Sequence, residues 1–270
     1  MSYYLTEDDK RIYFEYHQGE RAVTVLLSHG WGMGSKVWEN TRSLLQDNGY
    51  SVVAYDHRGC GKSDKDFTDV SIGSLGDDIV GICKQLGLEQ VVLNGWSLGG
   101  AVVVDAASKL GTSLAGLVLT CGATPRYTQA KDFSHGGTPD DVIATLQAVK
   151  NDRANFLKTL YFEGVFVKDV GDELRQWAWE IAMEASPSAD GSLLELAHLD
   201  QRSLMANLAV SSLVILGDKD GVADPDIGRF AADCLQKSKL VEITDCGHAP
   251  FIEYPDLYHS ALLSYLEPLN

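Results

Sequence analysis

Basic side chains are scarce in this sequence relative to acidic ones. Its 270 residues include 22 Lys and Arg against 38 Asp and Glu, which gives a net charge of −16. Because such a surface repels nucleic acid and anionic membranes, we expect neither as a partner. The chain has no apolar stretch near the roughly 20 residues that span a bilayer, and no apolar run follows a basic start at its N-terminus. We therefore expect no membrane span and no signal peptide.

Cysteine is also sparse, and its spacing argues against two common uses of the residue. The count of five is odd, the residues are far apart and no C-x-x-C pair occurs. This pattern speaks against a disulfide framework or a zinc site and favours reduced thiols in a cytoplasmic protein. No other cluster has metal-ligand spacing and no glycine-rich phosphate loop fits a nucleotide, so we expect no metal and no cofactor. The cysteines are Cys60, Cys83, Cys121, Cys234 and Cys246.

What the chain does contain is a regular alternation of short apolar runs and amphipathic stretches. Two alternating stretches near the N-terminus predict an antiparallel hairpin, and the later apolar runs are typical of strands buried on both faces. The alternation predicts an α/β fold with a mostly parallel, eight-stranded sheet and helices on both faces. The predicted strands cover residues 3–5, 11–16, 22–27, 51–55, 90–93, 113–120, 211–217 and 240–244.

The alternation stops after the sixth predicted strand. Residues 126–209 contain no clear strand and read as mostly helical, which predicts a cap over the carboxyl ends of the sheet. We expect a core domain of residues 1–125 and 210–270 with this helical cap, 126–209, inserted after strand 6. The aromatic residues of the cap either fill its own core or form an apolar pocket wall; they are Phe133, Tyr161, Phe162, Phe166, Trp177 and Trp179. The predicted helices cover residues 35–48, 71–86, 139–150, 152–162, 170–184, 192–207, 226–234 and 253–266, with one more directly after residue 97.

One serine stands where a strand turns sharply into a helix. Gly95-Trp96-Ser97-Leu98-Gly99 follows an apolar strand and precedes an apolar helix, which is the setting that a G-x-S-x-G nucleophile turn requires. A serine on such a turn has its hydroxyl exposed above the sheet. The free N–H groups of the following helix also suit a developing oxyanion.

Three other polar loops follow predicted strand ends, at residues 29–32, 218–220 and 245–248. The carboxyl ends of parallel strands are where α/β sheets place their sites. A serine hydroxyl needs a base within reach, and the base needs a carboxylate to fix its tautomer. The order Ser97, then Asp218 or Asp220, then His248 supplies these three groups.

The chain resembles the α/β-hydrolase superfamily over nearly its whole length, and five motifs carry the resemblance. Within the superfamily, the motif sequences HGWG, GWSLGG and HAPFI are similar to those of the carboxylesterases that demethylate pimeloyl-carrier-protein esters. The matching residues are His29-Gly30-Trp31-Gly32, Asp56-x-Arg58-Gly59-x-Gly61-x-Ser63, Gly95-Trp96-Ser97-Leu98-Gly99-Gly100, Gly217-x-x-Asp220 and Gly247-His248-Ala249-Pro250-Phe251.

The resemblance implies a catalytic triad. Ser97 is then the nucleophile, and His248 the general base and afterwards the general acid. The family's spacing favours Asp220 over Asp218 as the carboxylate that orients His248.

The resemblance also implies an oxyanion hole, formed by the backbone N–H groups of Trp31 and Leu98. We expect the side chains of Trp31, Leu146 and Trp177 to contact the substrate.

These roles predict a serine hydrolase that cleaves a small carboxylic ester through an acyl-enzyme on Ser97. A lactonase, a carbon–carbon bond hydrolase and a perhydrolase share the same triad and stay open as alternatives. A carrier-protein substrate is less favoured, because a net charge of −16 steers another acidic protein poorly. A ligand receptor built on a hydrolase scaffold is the alternative outside enzymes. The oligomeric state is not predicted.

Overall fold

The computed structural model describes residues 2–269; Met1 and Asn270, the ends of the predicted core ranges, lie outside the described residues. Eight strands form one sheet in the order β1-β2-β4-β3-β5-β6-β7-β8. The pairs β1–β2 and β2–β4 are antiparallel and the other pairs are parallel, which confirms the predicted hairpin and the mostly parallel sheet. The strands are β1 (Ser2–Leu5), β2 (Arg11–His17), β3 (Thr24–Ser28), β4 (Ser51–Tyr55), β5 (Val91–Trp96), β6 (Leu114–Thr120), β7 (Ser212–Gly217) and β8 (Ser238–Ile243).

Helices cover both faces of the sheet, and the segment between β6 and β7 includes helices α4 to α8 after a loop that reaches to residue 138. The division into a core and a cap stays a prediction. No described helix has both the length and the apolar character needed to cross a membrane. The helices are α1 (Glu39–Asp47), α2 (Ile72–Leu86), α3 (Leu98–Leu110), α4 (Pro139–Asn151), α5 (Arg153–Thr159), α6 (Asp172–Met183), α7 (Gly191–Leu196), α8 (Arg202–Ala206), α9 (Pro225–Cys234), α10 (Pro250–Glu253) and α11 (Pro255–Leu266).

The period-2 geometry of the strands builds two apolar layers. In β4, Val53 and Tyr55 pack into the layer that contains α2 and α3, whereas Val52 and Ala54 pack into the layer with α1 and α11. Successive side chains of a strand point to opposite faces, so an all-apolar strand needs cover on both sides. The sheet is therefore held between helices, and its carboxyl edge is left for the loops that carry the site.

Two predicted helices are wrong in extent. The predicted helix 253–266 is observed as α11 but begins two residues later, because Pro255 has no N–H to donate and begins the helix, whereas Glu253 is the last residue of α10. The stretch 192–207 is divided between α7 and α8. Its interruption is held by tertiary hydrogen bonds, since the Gln201 N–H donates to the Pro125 carbonyl at 2.9 Å and the Thr128 hydroxyl donates to the Ala197 carbonyl at 2.7 Å. These tertiary hydrogen bonds outweigh the helical propensity of the local sequence.

Candidate active site

The turn between β5 and α3 holds Ser97 in a strained backbone conformation. Its φ of 56° and ψ of −124° lie outside the regions that L-residues prefer. Hydrogen bonds fix this geometry: the Ser97 N–H donates to the Thr120 carbonyl at 3.0 Å, and the Ser97 carbonyl accepts from the N–H of Ala123 at 2.8 Å. A Cβ on Gly99 would lie 2.5 Å from the carbonyl oxygen of Ser28, so only glycine lets the helix start this close to β3.

His248 and Asp220 form a buried hydrogen-bonded pair. His248 Nδ1 lies 2.7 Å from Asp220 Oδ2, and the two side chains are 3% and 1% exposed. Because a carboxylate only accepts, Nδ1 carries the proton, and Nε2 of the neutral ring is left with its lone pair. The other oxygen of Asp220 accepts from the N–H groups of Val222 at 2.8 Å and Ala223 at 2.9 Å. This arrangement fixes both the tautomer and the direction of the imidazole.

Asp218, the competing acid, has a different environment. Its N–H donates to the Ile243 carbonyl at 3.1 Å, and among the described residues its buried Oδ1 has no hydrogen-bond partner. The carboxylate that contacts His248 is that of Asp220.

A cavity of about 220 Å³ brings Ser97 and His248 together with Trp31 and Leu98. Leu98 is the first residue of α3, so its N–H has no acceptor in the preceding turn. The site therefore has a hydroxyl, an imidazole and an unpaired helix N–H at one opening.

The backbone of Trp31 is oriented through the neighbouring His29. The Gly30 carbonyl accepts from His29 Nδ1 at 2.7 Å and from the Met33 N–H at 3.2 Å. Since C=O and N–H of a trans peptide point in opposite directions, the Trp31 N–H is directed away from the His29 ring. His29 Nε2 accepts from the His57 N–H at 3.0 Å, and burial lowers the pKa of His29 to about 4. The ring is thus held neutral, with a fixed tautomer, beneath this turn.

The rest of the cavity wall is mostly apolar and comes largely from helices between β6 and β7. Of the aromatic residues predicted for the cap, Tyr161 contributes to this wall. Trp177 lies elsewhere, in a polar cavity with Asp56 and Glu184. Leu146 lies in a depression with Val149 and Leu194. The sequence interpretation missed these other wall residues: Tyr127, Phe156, Leu160, Val165, Leu193, Leu196 and Val222.

The sequence spacing of two wall residues could have predicted that they share one helical face. Phe156 and Leu160 are four residues apart and follow one face of α5 into the turn that Leu160–Gly164 form. Tyr127, by contrast, carries no such signal. Its hydroxyl donates to the Val222 carbonyl at 2.9 Å, and burial raises its pKa to about 12, so the phenol is neutral beside the cavity.

Cys121 lies beside the histidine–aspartate pair. Its Sγ, an Asp220 oxygen and a His248 ring nitrogen all lie within 4.8 Å of one another. Burial and the nearby Asp220 raise the pKa of the Cys121 thiol well above its usual value, whereas a metal ligand must be a thiolate. His248 Nδ1 and Asp220 Oδ2 are already bonded to each other. The three residues therefore fit an acid–base pair with a neutral thiol at its back better than a metal centre.

The sheet order, the serine turn at the end of β5 and the histidine–aspartate pair beyond β7 and β8 define an α/β hydrolase. The family model described as alpha/beta hydrolase fold matches residues 23–255, so the chain belongs to that family.

Similar proteins cover nearly the whole chain. An AB hydrolase superfamily protein of Bacillus subtilis is 28% identical over 98% of this chain and 99% of its own length. An esterase structure from Exiguobacterium antarcticum has a TM-score of 0.95 at 27% identity, covering 98% of this chain and 99% of that one. A pimeloyl-[acyl-carrier protein] methyl ester esterase of Nitrosospira multiformis is 25% identical over 92% of this chain and 95% of its own length. The predicted resemblance to that group is confirmed.

Proposed function

We propose that this protein is a serine hydrolase that cleaves a small carboxylic ester through an acyl-enzyme on Ser97. The observation that carries the proposal is the buried 2.7 Å hydrogen bond between His248 and Asp220, at a cavity that Ser97 also lines. The similar proteins named as esterases support an ester as the substrate class.

Acylation begins with the hydroxyl of Ser97. His248 Nε2 takes the hydroxyl proton as Ser97 Oγ attacks the ester carbonyl carbon, and Asp220 stabilises the imidazolium that forms. The carbonyl oxygen becomes an oxyanion that accepts from the N–H groups of Leu98 and Trp31. Removing one such donor typically costs about 3 kcal/mol of transition-state stabilisation. His248 then returns its proton to the alkoxy oxygen, the ester C–O bond breaks and the alcohol leaves.

Deacylation repeats these steps with water. His248 takes a proton from the water that attacks the acyl carbon, the second oxyanion uses the same two donors, and the proton passes to Ser97 Oγ as the acid is released. Each proton taken is returned, so the cycle leaves the enzyme unchanged and needs no co-reactant other than water.

The cavity supports a small, mostly apolar substrate. Its volume of about 220 Å³ is below the roughly 300–1,000 Å³ usual for drug-sized ligands. Phe156, Leu160 and Val165 line it and offer no charged partner. We further propose that residues 126–209 act as the cap over the site, because these wall residues come from that segment. A net charge of −16 argues against a large acidic carrier as the partner.

A substrate screen tests the proposal. The wild type is assayed with p-nitrophenyl esters of increasing acyl length and with lactones, beside Ser97→Ala and a matched control, Ser108→Ala. Ser108 is exposed near the end of α3, and its hydroxyl donates to the Asp105 carbonyl. We expect ester turnover in the wild type and in Ser108→Ala and its loss in Ser97→Ala. Turnover of lactones alone assigns the same triad to a lactonase, and turnover of neither class contradicts the proposal.

A fluorophosphonate probe separates an enzyme from a ligand receptor on the same fold. We expect rapid labelling of Ser97 with one probe per chain, because the base activates that hydroxyl and the oxyanion donors stabilise the charge on the phosphonyl oxygen. Ligand binding without labelling or turnover contradicts the enzyme and supports the receptor.

A further inference from the structure

A second carboxylate is buried beside the His248 loop. Glu253, the last residue of α10, is 1% exposed. No Lys, Arg or His in the described part of the chain forms an ion pair with its carboxylate. A buried carboxylate is stable only where its oxygens accept hydrogen bonds, so the contacts of Glu253 decide what it holds in place. All of the backbone donors come from two segments.

The first segment contains His248 itself. Glu253 Oε1 accepts from the N–H of Gly247 at 3.0 Å and from the N–H of Ala249 at 3.4 Å, and the Gly247 N–H also donates to Oε2 at 3.1 Å. These are the residues on either side of His248. The carboxylate therefore holds the backbone of the loop on both sides of the imidazole.

The second segment forms part of the cavity wall. Glu253 Oε2 accepts from the N–H groups of Val167 at 2.8 Å and Lys168 at 2.9 Å. Two residues earlier, the Val165 carbonyl accepts from the His248 N–H at 2.8 Å, and Val165 lines the cavity. The same carboxylate thus contacts the imidazole loop and a segment that can touch the substrate.

The space around Gly247 shows how closely these parts fit. A Cβ there would lie 2.6 Å from the Val165 carbonyl oxygen and 3.0 Å from Glu253 Oε1. Residue 247 must be glycine for the loop, the wall segment and the carboxylate to meet at this distance.

We propose that Glu253 is a positioning residue for ester hydrolysis. Its carboxylate fastens the His248 loop to residues 165–168, so that the imidazole keeps its approach to Ser97 while the wall packs on the substrate. Glu253 acts through His248 and touches no reacting atom. The inference rests on the proposed function, because it gives His248 the role of the base.

The variant Glu253→Gln keeps the size of the side chain but replaces one acceptor oxygen with an NH2 group. That group cannot accept from the N–H donors around it, so the hold on one of the two segments is weakened. The bonds from Val167 and Lys168 are lost if the group replaces Oε2, and the bond from Ala249 and one of the two Gly247 contacts are lost if it replaces Oε1. Because His248 then reaches Ser97 poorly, we expect kcat to fall by about 10- to 100-fold while KM changes by no more than about twofold. We also expect the downfield proton NMR resonance of the His248–Asp220 hydrogen bond to shift or broaden.

Asp78→Asn is the matched control. Asp78 is also a buried carboxylate, 1% exposed, but it pairs with Arg58 and faces a different cavity beside β1 and α2. Both variants are expected to lower the Tm. Only Glu253→Gln is expected to change kcat and the resonance.

The outcomes separate this inference from the proposed function. A folded Glu253→Gln protein with the kcat and resonance of the wild type overturns the inference, and so does a kcat loss that Asp78→Asn reproduces. A wild type that turns over no ester refutes the proposed function itself.

If Glu253→Gln does not fold, Glu253→Asp replaces it, because the shorter side chain keeps a carboxylate but cannot reach the N–H groups of both segments at once. We then expect a kcat loss of about two- to fivefold at constant KM, and an unchanged kcat overturns the inference.

Discussion

The imidazole rings of His29 and His57 stack on each other, with centroids 3.8 Å apart and 25° between their planes. Both rings are buried, and burial lowers both pKa values. The backbone N–H of His57 donates to Nε2 of the His29 ring, and Nδ1 of the same ring donates to the Gly30 carbonyl. The neutral pair thus supports the turn that carries Trp31, a residue that lines the cavity.

The first prediction concerns the pH dependence of stability. The pKa of His29 is about 4 in the folded protein and 6.5 without the fold, so the unfolded chain binds more protons between these values. The contribution of neutral His29 to the free energy of unfolding is therefore fully present above pH 6.5 and is lost as the pH falls towards 4. The difference between the two pKa values corresponds to roughly 3 kcal/mol of the free energy of unfolding. We expect His29→Phe, which keeps a stacking ring but cannot titrate, to show a smaller loss of Tm between these pH values. Equal slopes in the two proteins contradict the assignment.

The second prediction uses the same ring for catalysis. His29→Phe removes the donor to the Gly30 carbonyl and frees the peptide that carries the Trp31 N–H. We expect kcat to fall by about tenfold to a thousandfold, the range for loss of one oxyanion donor, with a much smaller change in KM. Steady-state kinetics at pH 8 measures this effect in the folded protein, where the stability difference from His29 titration is absent. An unchanged kcat refutes the orienting role of His29.

The third prediction distinguishes the two aspartates of the loop after β7. Asp220→Asn keeps the shape of the side chain but favours the wrong tautomer of His248, and we expect kcat to fall by about 10²- to 10⁴-fold. Asp218→Asn is the matched control, two residues away and without a bond to His248. We expect its kcat to stay within about twofold of the wild type. The reverse pattern would mean that Asp218 serves His248 when substrate is bound.

The fourth prediction concerns acyl-chain preference. Leu160 lines the cavity and Leu146 does not lie there, although both are half-buried leucines of the same segment. Leu160→Ala removes wall volume, so the ratio of kcat/KM for hexanoate over acetate esters should rise by about five- to tenfold, the effect of a few methylenes in an apolar pocket. Leu146→Ala should leave the ratio unchanged. A larger shift in Leu146→Ala restores that residue as the substrate contact.

Local signals predicted the sheet and its edge loops well. The strand Ser51–Tyr55 has the predicted bounds. An apolar run of this length must be buried, and the polar loop that follows marks where the buried strand ends. The family resemblance supplied the pairing of Asp220 rather than Asp218 with His248. Spacing alone left both acids open, since two residues in a loop cannot be ordered without the fold.

Tertiary contacts determined what the sequence could not predict. The interruption after α7 depends on the Pro125 carbonyl, which is far from Gln201 in the chain. Trp177 is large and apolar, which favoured a substrate contact, yet the position of α6 sends it to the cavity beside Asp56. The burial of Glu253 has no local signal in the sequence, because an acidic residue in a helix is usually exposed. Its hydrogen-bond donors also lie in two separate segments.

The proposed mechanism depends on a covalent acyl group on Ser97, and mass spectrometry of the rapidly quenched protein and its peptides tests for this group most directly. The protein is mixed with p-nitrophenyl butyrate, stopped with acid within the first turnover and digested. The acyl-enzyme mechanism predicts one butyryl group per chain on the peptide containing Ser97, and none in Ser97→Ala. A butyryl group on another residue, or rapid ester turnover without any adduct during a burst of p-nitrophenol, would contradict it.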